Sequence, residues 1–276
     1  MTTMIPLSRS GKPAIEAARE IVLGAGDILR RRATEELRIS EKGRANLVTN
    51  ADVEVENFYA ERLEAEFPGY GFLGEESGRR GGSGPYTWIV DPLDGTRNYA
   101  LKLPYYASTI ALVKDGEIIL GFTYNPVSNE LFWAERGNGA YLNDSRIRIS
   151  RRAQLSGCTV ATDLGYSDVL AGHALDLLNK LWPGMEAVRI MGSAALGIAY
   201  AACGRTDIYF HHHLSPWDIA AGILIAQEAG GVVTDRNGGA MRVDTPNIIV
   251  TNETLLAEFL KKSEGHAWRN GHDPKI

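Results

Sequence analysis

The chain has 276 residues, 44% of them hydrophobic and 23% charged, with a formal net charge of −5. That balance belongs to a soluble globular protein able to bury a sizeable core. It lacks the basic surplus of a general nucleic-acid binder, and no apolar run approaches the roughly 18 residues that span a bilayer.

The first twelve residues, MTTMIPLSRSGK, contain no apolar signal segment. Two cysteines, Cys158 and Cys203, stand 45 positions apart without a CxxC pattern and read as free thiols of a reducing compartment. A cytoplasmic protein is expected, with no membrane partner.

In chain order, residues 13–37 carry Ile15, Ala18, Ile21, Val22, Ala25, Ile28 and Leu29 at three- and four-residue steps, the stripe of an amphipathic helix. Arg30-Arg31-Arg32 reads as its solvated face, a local basic docking patch being the alternative. The polar, turn-rich stretch EKGRANLVTNAD leads into a second helix over 52–67, with Val55, Phe58, Leu63 and Phe67 on one side and Pro68-Gly69 ending it. Strands follow at 86–90, 108–114 and 117–124, the last two joined by the hairpin signal Asp115-Gly116, then at 130–135 and 140–143.

From residue 155 strands and helices alternate. Strands are expected at 159–162, 187–190, 207–210, 232–235 and 247–251, and helices at 168–181, 193–203, 216–229 and 253–262. Residues 263–276 show no periodicity and are expected to be loose. The chain thus divides into an α+β region, 1–150, and an α/β region, 151–276, together an α/β sandwich.

Acidic residues fall at four element ends. Glu75 follows the apolar run Gly71-Phe72-Leu73. Asp91 and Asp94 follow the strand that ends at Val90. Asp218 opens a helix after Pro216-Trp217, and Asp52 opens the second helix. In α/β proteins such places face ligands. Each also has a plainer reading: a type I turn at Asp94-Gly95, a solvated loop at Glu75-Glu76, a capping box from Ser215 to Asp218, a first-turn acid at Asp52.

Taken together they are harder to explain as punctuation. In Asp91-Pro92-Leu93-Asp94-Gly95-Thr96 the turn can direct two carboxylates and the Leu93 carbonyl to one side. Two carboxylates about 4 Å apart repel by about 4 kcal/mol at an effective dielectric of 20. If Glu75 and Asp218 join them, cations must neutralise the cluster, and an all-oxygen donor set suits Mg²⁺, Mn²⁺ or Ca²⁺.

At these residues the sequence resembles the inositol monophosphatase family of lithium-sensitive, magnesium-dependent phosphatases. Four motifs carry the resemblance: Gly74-Glu75-Glu76-Ser77; Asp91 to Thr96; Gly192-Ser193-Ala194-Ala195; and Trp217-Asp218-Ile219-Ala220-Ala221-Gly222, running into Glu228-Ala229-Gly230-Gly231. It covers about residues 13–262.

The resemblance implies a five-layer αβαβα sandwich, a homodimer, and a site holding two or three Mg²⁺ ions, with Mn²⁺ as a substitute. Glu75, Asp91, the Leu93 carbonyl, Asp94 and Asp218 match the family's metal ligands. Thr96 with Asp52 matches the pair that orients the attacking water, and Lys42 a loop lysine near the metals. The amides of Gly95 and Thr96 match the phosphate cradle, and Gly192, Ser193 and Ala194 the substrate pocket.

The implied substrate is a small phosphorylated molecule, inositol 1-phosphate or a related sugar phosphate. Fructose 1,6-bisphosphate, histidinol phosphate and phosphoadenosine phosphate are the family's other options. A non-catalytic role as a binding partner of the transcription machinery is the implied alternative. One departure stands out: inositol-preferring members carry a glutamate where this chain has His211, followed by His212 and His213. The three histidines read either as solvated or core-satisfied residues, or as a substrate contact made by His211. Adjacent strand residues point to opposite faces, which argues against a shared metal.

Overall fold

The computed structural model describes residues 5–43 and 46–270. The chain starts with α1 (Ala14–Arg32), a hairpin of β1 (Ile39–Gly43) and β2 (Asn46–Thr49), and α2 (Asn50–Glu66). Next come β3 (Gly71–Gly74), β4 (Gly78–Arg80), β5 (Tyr86–Asp94), the short α3 (Thr96–Ala100), β6 (Ala107–Lys114), β7 (Glu117–Asn125), β8 (Glu130–Glu135), β9 (Gly139–Leu142) and β10 (Ser145–Arg146). The remainder runs β11 (Thr159–Thr162), α4 (Asp168–Leu181), β12 (Ala187–Ile190), α5 (Ala194–Ala202), β13 (Ile208–His211), α6 (Pro216–Glu228), β14 (Val232–Thr234), β15 (Ile248–Thr251), α7 (Glu253–Lys262) and α8 (Ala267–Asn270).

Strands β3 to β10 form an eight-stranded sheet in the order β10-β9-β8-β7-β6-β5-β3-β4, and β11 to β15 a five-stranded sheet in the order β12-β11-β13-β15-β14. The result is a layered αβαβα sandwich. Helices α1 and α2 cover one face of the large sheet, α5 and α6 fill the space between the sheets, and α4, α7 and α8 cover the far face of the small sheet.

Period-two alternation makes this stacking possible. On β5, Trp88 and Val90 pack under the α1–α2 layer while Ile89 packs toward α6. On β6, Ile110 and Leu112 face the first layer and Ala107, Ala111 and Val113 the third. With both faces covered, the strands read as continuous apolar runs. Gly121 lets α6 lie close, since a Cβ there would stand 2.9 Å from the Ala221 backbone.

Four local expectations are corrected. The first helix stops at Arg32 rather than 37, because from Arg30 to Glu36 only Ala33 offers an apolar side chain to bury. The stretch expected to be irregular before α2 pairs as β1–β2, a hairpin whose first strand is exposed throughout and so shows no apolar period; residues 44–45 lie outside the described residues.

Strand β5 runs on through Asp94, with its pairing to β6 irregular between Asp91 and Asp94, so these acids sit on a bulged strand end and not in a type I turn. The segment after α7 is not loose up to residue 270. Trp268 of α8 is buried edge-on against Phe210, ring centres 5.0 Å apart, and Ser263 is buried too; residues 271–276 lie outside the described residues.

Candidate active site

Parallel strands of both sheets end at one place. β3 and β5 run parallel with Gly74 opposite Val90, so Glu75 stands beside Asp91 at their C-terminal ends. In the other sheet β11 lies between β12 and β13, parallel to both, with Thr162 opposite Ile190 and Phe210. The residues that follow, Asp163, Met191 and His211, share the corresponding edge. Helices α5 and α6 then present their N-termini into the gap. This is where open α/β sheets place ligands.

Asp91, Asp94 and Asp218 meet there, each offering an oxygen within 4.8 Å of the other two. Asp94 is held by the start of α5: Ser193 Oγ donates to its Oδ2, as does the Ala195 amide at 3.1 Å, and the Ala194 amide donates to Oδ1 at 3.2 Å. Asp91 accepts from the Leu93 amide at 2.9 Å. Asp218 accepts from the Ser215 amide at 2.6 Å, with Pro216 at the first helical position. Capping and clustering are therefore not alternatives for Asp218, since one oxygen can cap while the side chain stays in the cluster.

Burial pushes the carboxyl of Asp94 up to about 7 and raises those of Asp91 and Asp218 well above the ordinary range, with mutual repulsion adding to both. No lysine or arginine pairs with any of the three among the described residues.

Glu75 lies outside this close trio. Burial raises its carboxyl to about 7, against the pull of Lys42, whose Nζ is 3.3 Å from Glu75 Oε1 and also donates to Glu76. On the other side, Thr96 Oγ1 lies 3.0 Å from Asp52 Oδ1 and 2.9 Å from the Leu93 carbonyl. Asp52 also closes the start of α2, accepting from the Thr49 amide at 2.8 Å and the Thr49 hydroxyl at 2.6 Å. Its carboxyl is raised to about 6 by burial, which these hydrogen bonds only partly offset.

A cavity of about 300 Å³ opens over the cluster. Asp94, Gly95, Thr96, Gly192, Ser193, Ala194, His211 and Asp218 all border it, whereas Lys42, Asp52, Glu75, Asp91 and Leu93 stand outside its lining. Gly95 turns the chain here with φ +87°, and a Cβ on it would come within 3.1 Å of the Gly192 carbonyl. Arg97 and Tyr166 also border the cavity and were not anticipated from the sequence.

Two further buried acids escaped sequence reasoning. Glu56 on α2 accepts from the amides of Glu76 at 2.7 Å and Ser77 at 2.8 Å, clamping the loop that carries Glu75. Asp163 accepts from the amides of Met191 at 3.0 Å and Gly192 at 2.6 Å and from the Tyr209 hydroxyl at 3.1 Å, clamping the loop before Ser193. Signals existed for both. Glu56 falls four residues after Asp52 and three before Tyr59, on the buried face of its helix, and Asp163 follows strand β11 as Asp91 follows the apolar run of β5.

A sequence model described as "Inositol monophosphatase family" matches residues 11–267. The chain is similar to the inositol-1-monophosphatase of Caulobacter vibrioides, 41% identical over 258 residues, covering 90% of this chain and 98% of that protein. It is also similar to the Nus factor SuhB of Xylella fastidiosa, 40% identical over 237 residues, covering 84% and 86%. Among solved structures, the extragenic suppressor protein suhB from Bartonella henselae matches with a TM-score of 0.88 at 39% identity, over 91% of this chain and 98% of that one. The IMPase of Thermotoga maritima matches with a TM-score of 0.84 at 32% identity, over 90% and 96%. A family match of this extent, joined to the same sandwich in these relatives, means that the chain belongs to the inositol monophosphatase family.

Proposed function

We propose that the protein hydrolyses a small phosphate monoester, of the inositol 1-phosphate or sugar phosphate kind, with magnesium as its cofactor. The observation that carries this reading is the meeting of Asp91, Asp94 and Asp218 beneath a cavity that Thr96 borders. Their donor atoms are all oxygen, they are crowded, and no basic side chain among the described residues neutralises them, which fits a hard divalent cation. Asp91, Asp94 and Asp218 would hold such ions, with Glu75 and the Leu93 carbonyl beside them. Bound there, Mg²⁺ neutralises phosphate charge and acidifies water.

The chain's own groups supply the rest. The Thr96 hydroxyl, anchored between Asp52 and the Leu93 carbonyl, positions the attacking water and relays its proton to Asp52 Oδ1. The backbone amides of Gly95 and Thr96 receive phosphate oxygens, and Gly192, Ser193 and Ala194 wall the substrate. Lys42 balances Glu75 and Glu76 at the back of the site. Phosphate release from a panel of monoesters, with and without Mg²⁺, tests the reading, and Li⁺ is expected to inhibit at saturating Mg²⁺. No release from any ester with Mg²⁺ present would remove it.

Glu56→Gln provides a second test. It leaves one of two backbone donors without its acceptor, at a cost of about 1–3 kcal/mol in a denaturant melt. By loosening the Glu75 loop it should also shift half-maximal activation several-fold to higher Mg²⁺. An unchanged Mg²⁺ dependence would mean that the loop is positioned by other contacts.

The Nus factor names of relatives support a second reading, a binding role in transcription apart from catalysis. The arginine run on α1 adds little support to it: Arg30 pairs with Asp27, and Arg31 and Arg32 each pair with Glu35 and Glu54.

A further inference from the structure

We infer that the ester cleaved here carries a second anionic group, a carboxylate or a further phosphate, and that His211 and Arg97 receive it. The inference deepens the hydrolase reading above and rests on it.

His211 is 2% exposed and sits at the end of β13, bordering the cavity. The backbone amide of His213 donates to His211 Nδ1 at 3.1 Å. An imidazole nitrogen that accepts carries no proton, so the ring proton is on Nε2. Nε2 has no protein partner among the described residues. It lies beside Gly165, which borders the same cavity and on which a Cβ would stand 3.6 Å from it. The ring stacks on His212 with centres 4.5 Å apart. Burial, reinforced by His212 and His213, holds the imidazolium form well below the usual histidine range. His211 therefore presents the cavity with an N–H donor and no acceptor.

Arg97 borders the same cavity, is exposed, and has no acidic partner among the described residues. Its guanidinium has five donors and no acceptor. Asp163, an acid in this wall, has three of its roughly four acceptor sites taken, two amides on Oδ1 and the Tyr209 hydroxyl on Oδ2. A neutral polyol would also accept from His211 and Arg97, but it brings no charge to meet the guanidinium. A carboxylate or phosphate has acceptors alone and matches these two donors, and leaving a buried donor unpaired is strongly discriminating.

Matched pairs of esters test the inference at fixed free Mg²⁺: fructose 1-phosphate against fructose 1,6-bisphosphate, and glycerol 3-phosphate against 3-phosphoglycerate, with 4-nitrophenyl phosphate as a general ester. The anionic member of at least one pair is expected to show a kcat/KM at least about tenfold higher, and the pair that responds tells phosphate from carboxylate. His211→Glu, and separately Arg97→Gln at the exposed rim, should lower that ratio several-fold, mainly through KM. Equal or reversed preference in the unaltered protein overturns the inference, as does an unchanged ratio in both folded variants. Turnover of every ester without preference removes this inference alone, whereas no turnover of any ester removes the hydrolase reading with it.

Discussion

Asp218→Asn is expected to lower phosphate release by at least about a hundredfold while leaving the melting temperature of the metal-free protein unchanged or raised. The two effects separate because the side chain has two jobs. As a cap it accepts from the Ser215 amide, and an asparagine oxygen can still do so. As a member of the cluster it contributes one of three acidic groups whose oxygens lie within 4.8 Å of one another. At such separations each like-charge pair costs about 3–4 kcal/mol at an effective dielectric of 20. The raised carboxyl of Asp218 means that its ionised form already costs the metal-free fold, so asparagine leaves that fold unharmed or relieved, and it weakens the site when a cation is needed. Thermal melts in EDTA and in Mg²⁺, beside phosphate-release assays, read both effects. Surviving activity would show that the cluster is not the reaction centre, and a lower metal-free melting point would show that capping outweighs repulsion at this position.

The sandwich was legible because its strands and helices are long, apolar and cleanly punctuated. Helix α4 and strand β12 begin and end where their pattern says they should, since Pro183-Gly184 stops the one and the run from Ala187 to Ile190 is the other. What escaped were elements whose stability comes from partners remote in sequence. The β1–β2 hairpin is polar and exposed, so its residues carry no period to read. Trp268 leaves no period in its polar stretch because Phe210 and Phe259, which enclose it, come from β13 and α7.

The same logic divides the site residues. Asp91, Asp94 and Asp218 announce themselves by interrupting apolar patterns at element ends. Glu56 and Asp163 do structural work on neighbouring loops, and a buried acid that accepts backbone amides has the same letter in the sequence as a solvated one. His211 shows the limit most sharply. Its identity is visible in the sequence, but the proton's place on Nε2 depends on an amide two residues on folding back onto Nδ1, which only the folded loop reveals.

Metal-free protein is expected to be less stable at pH 7.5 than at pH 5, and Mg²⁺ to remove most of that difference. Burial raises Asp52 and Asp163 to about 6 and Glu75 and Asp94 to about 7. Unfolded, these groups titrate near 4. Between pH 4 and 7 the folded chain therefore holds protons that the unfolded chain has released, and stability falls as pH rises through that window. Asp163, whose carboxyl moves from near 4 to about 6, contributes about 3 kcal/mol over its whole titration and about half of that between pH 5 and 7.5. Glu54, Glu66, Glu130 and Asp244, whose carboxyls are lowered, act with the opposite sign but below pH 5. Buried His211, held unprotonated in the fold while the unfolded imidazole charges near 6.5, opposes the trend inside the window by at most about 2 kcal/mol at pH 5, less than the four raised acids together.

Divalent ions bind the ionised cluster in the folded state only, so they stabilise most where the carboxylates are charged and compete with protons where they are not. For a chain of this length, a drop in melting temperature of at least about 5 °C between pH 5 and 7.5 is expected in EDTA. Added Mg²⁺ should raise the melting temperature markedly at pH 7.5 and little at pH 5. A melting temperature in EDTA that holds level or climbs over this range, or an equal Mg²⁺ effect at both pH values, would mean that the acids at the sheet ends are already neutralised by the protein itself.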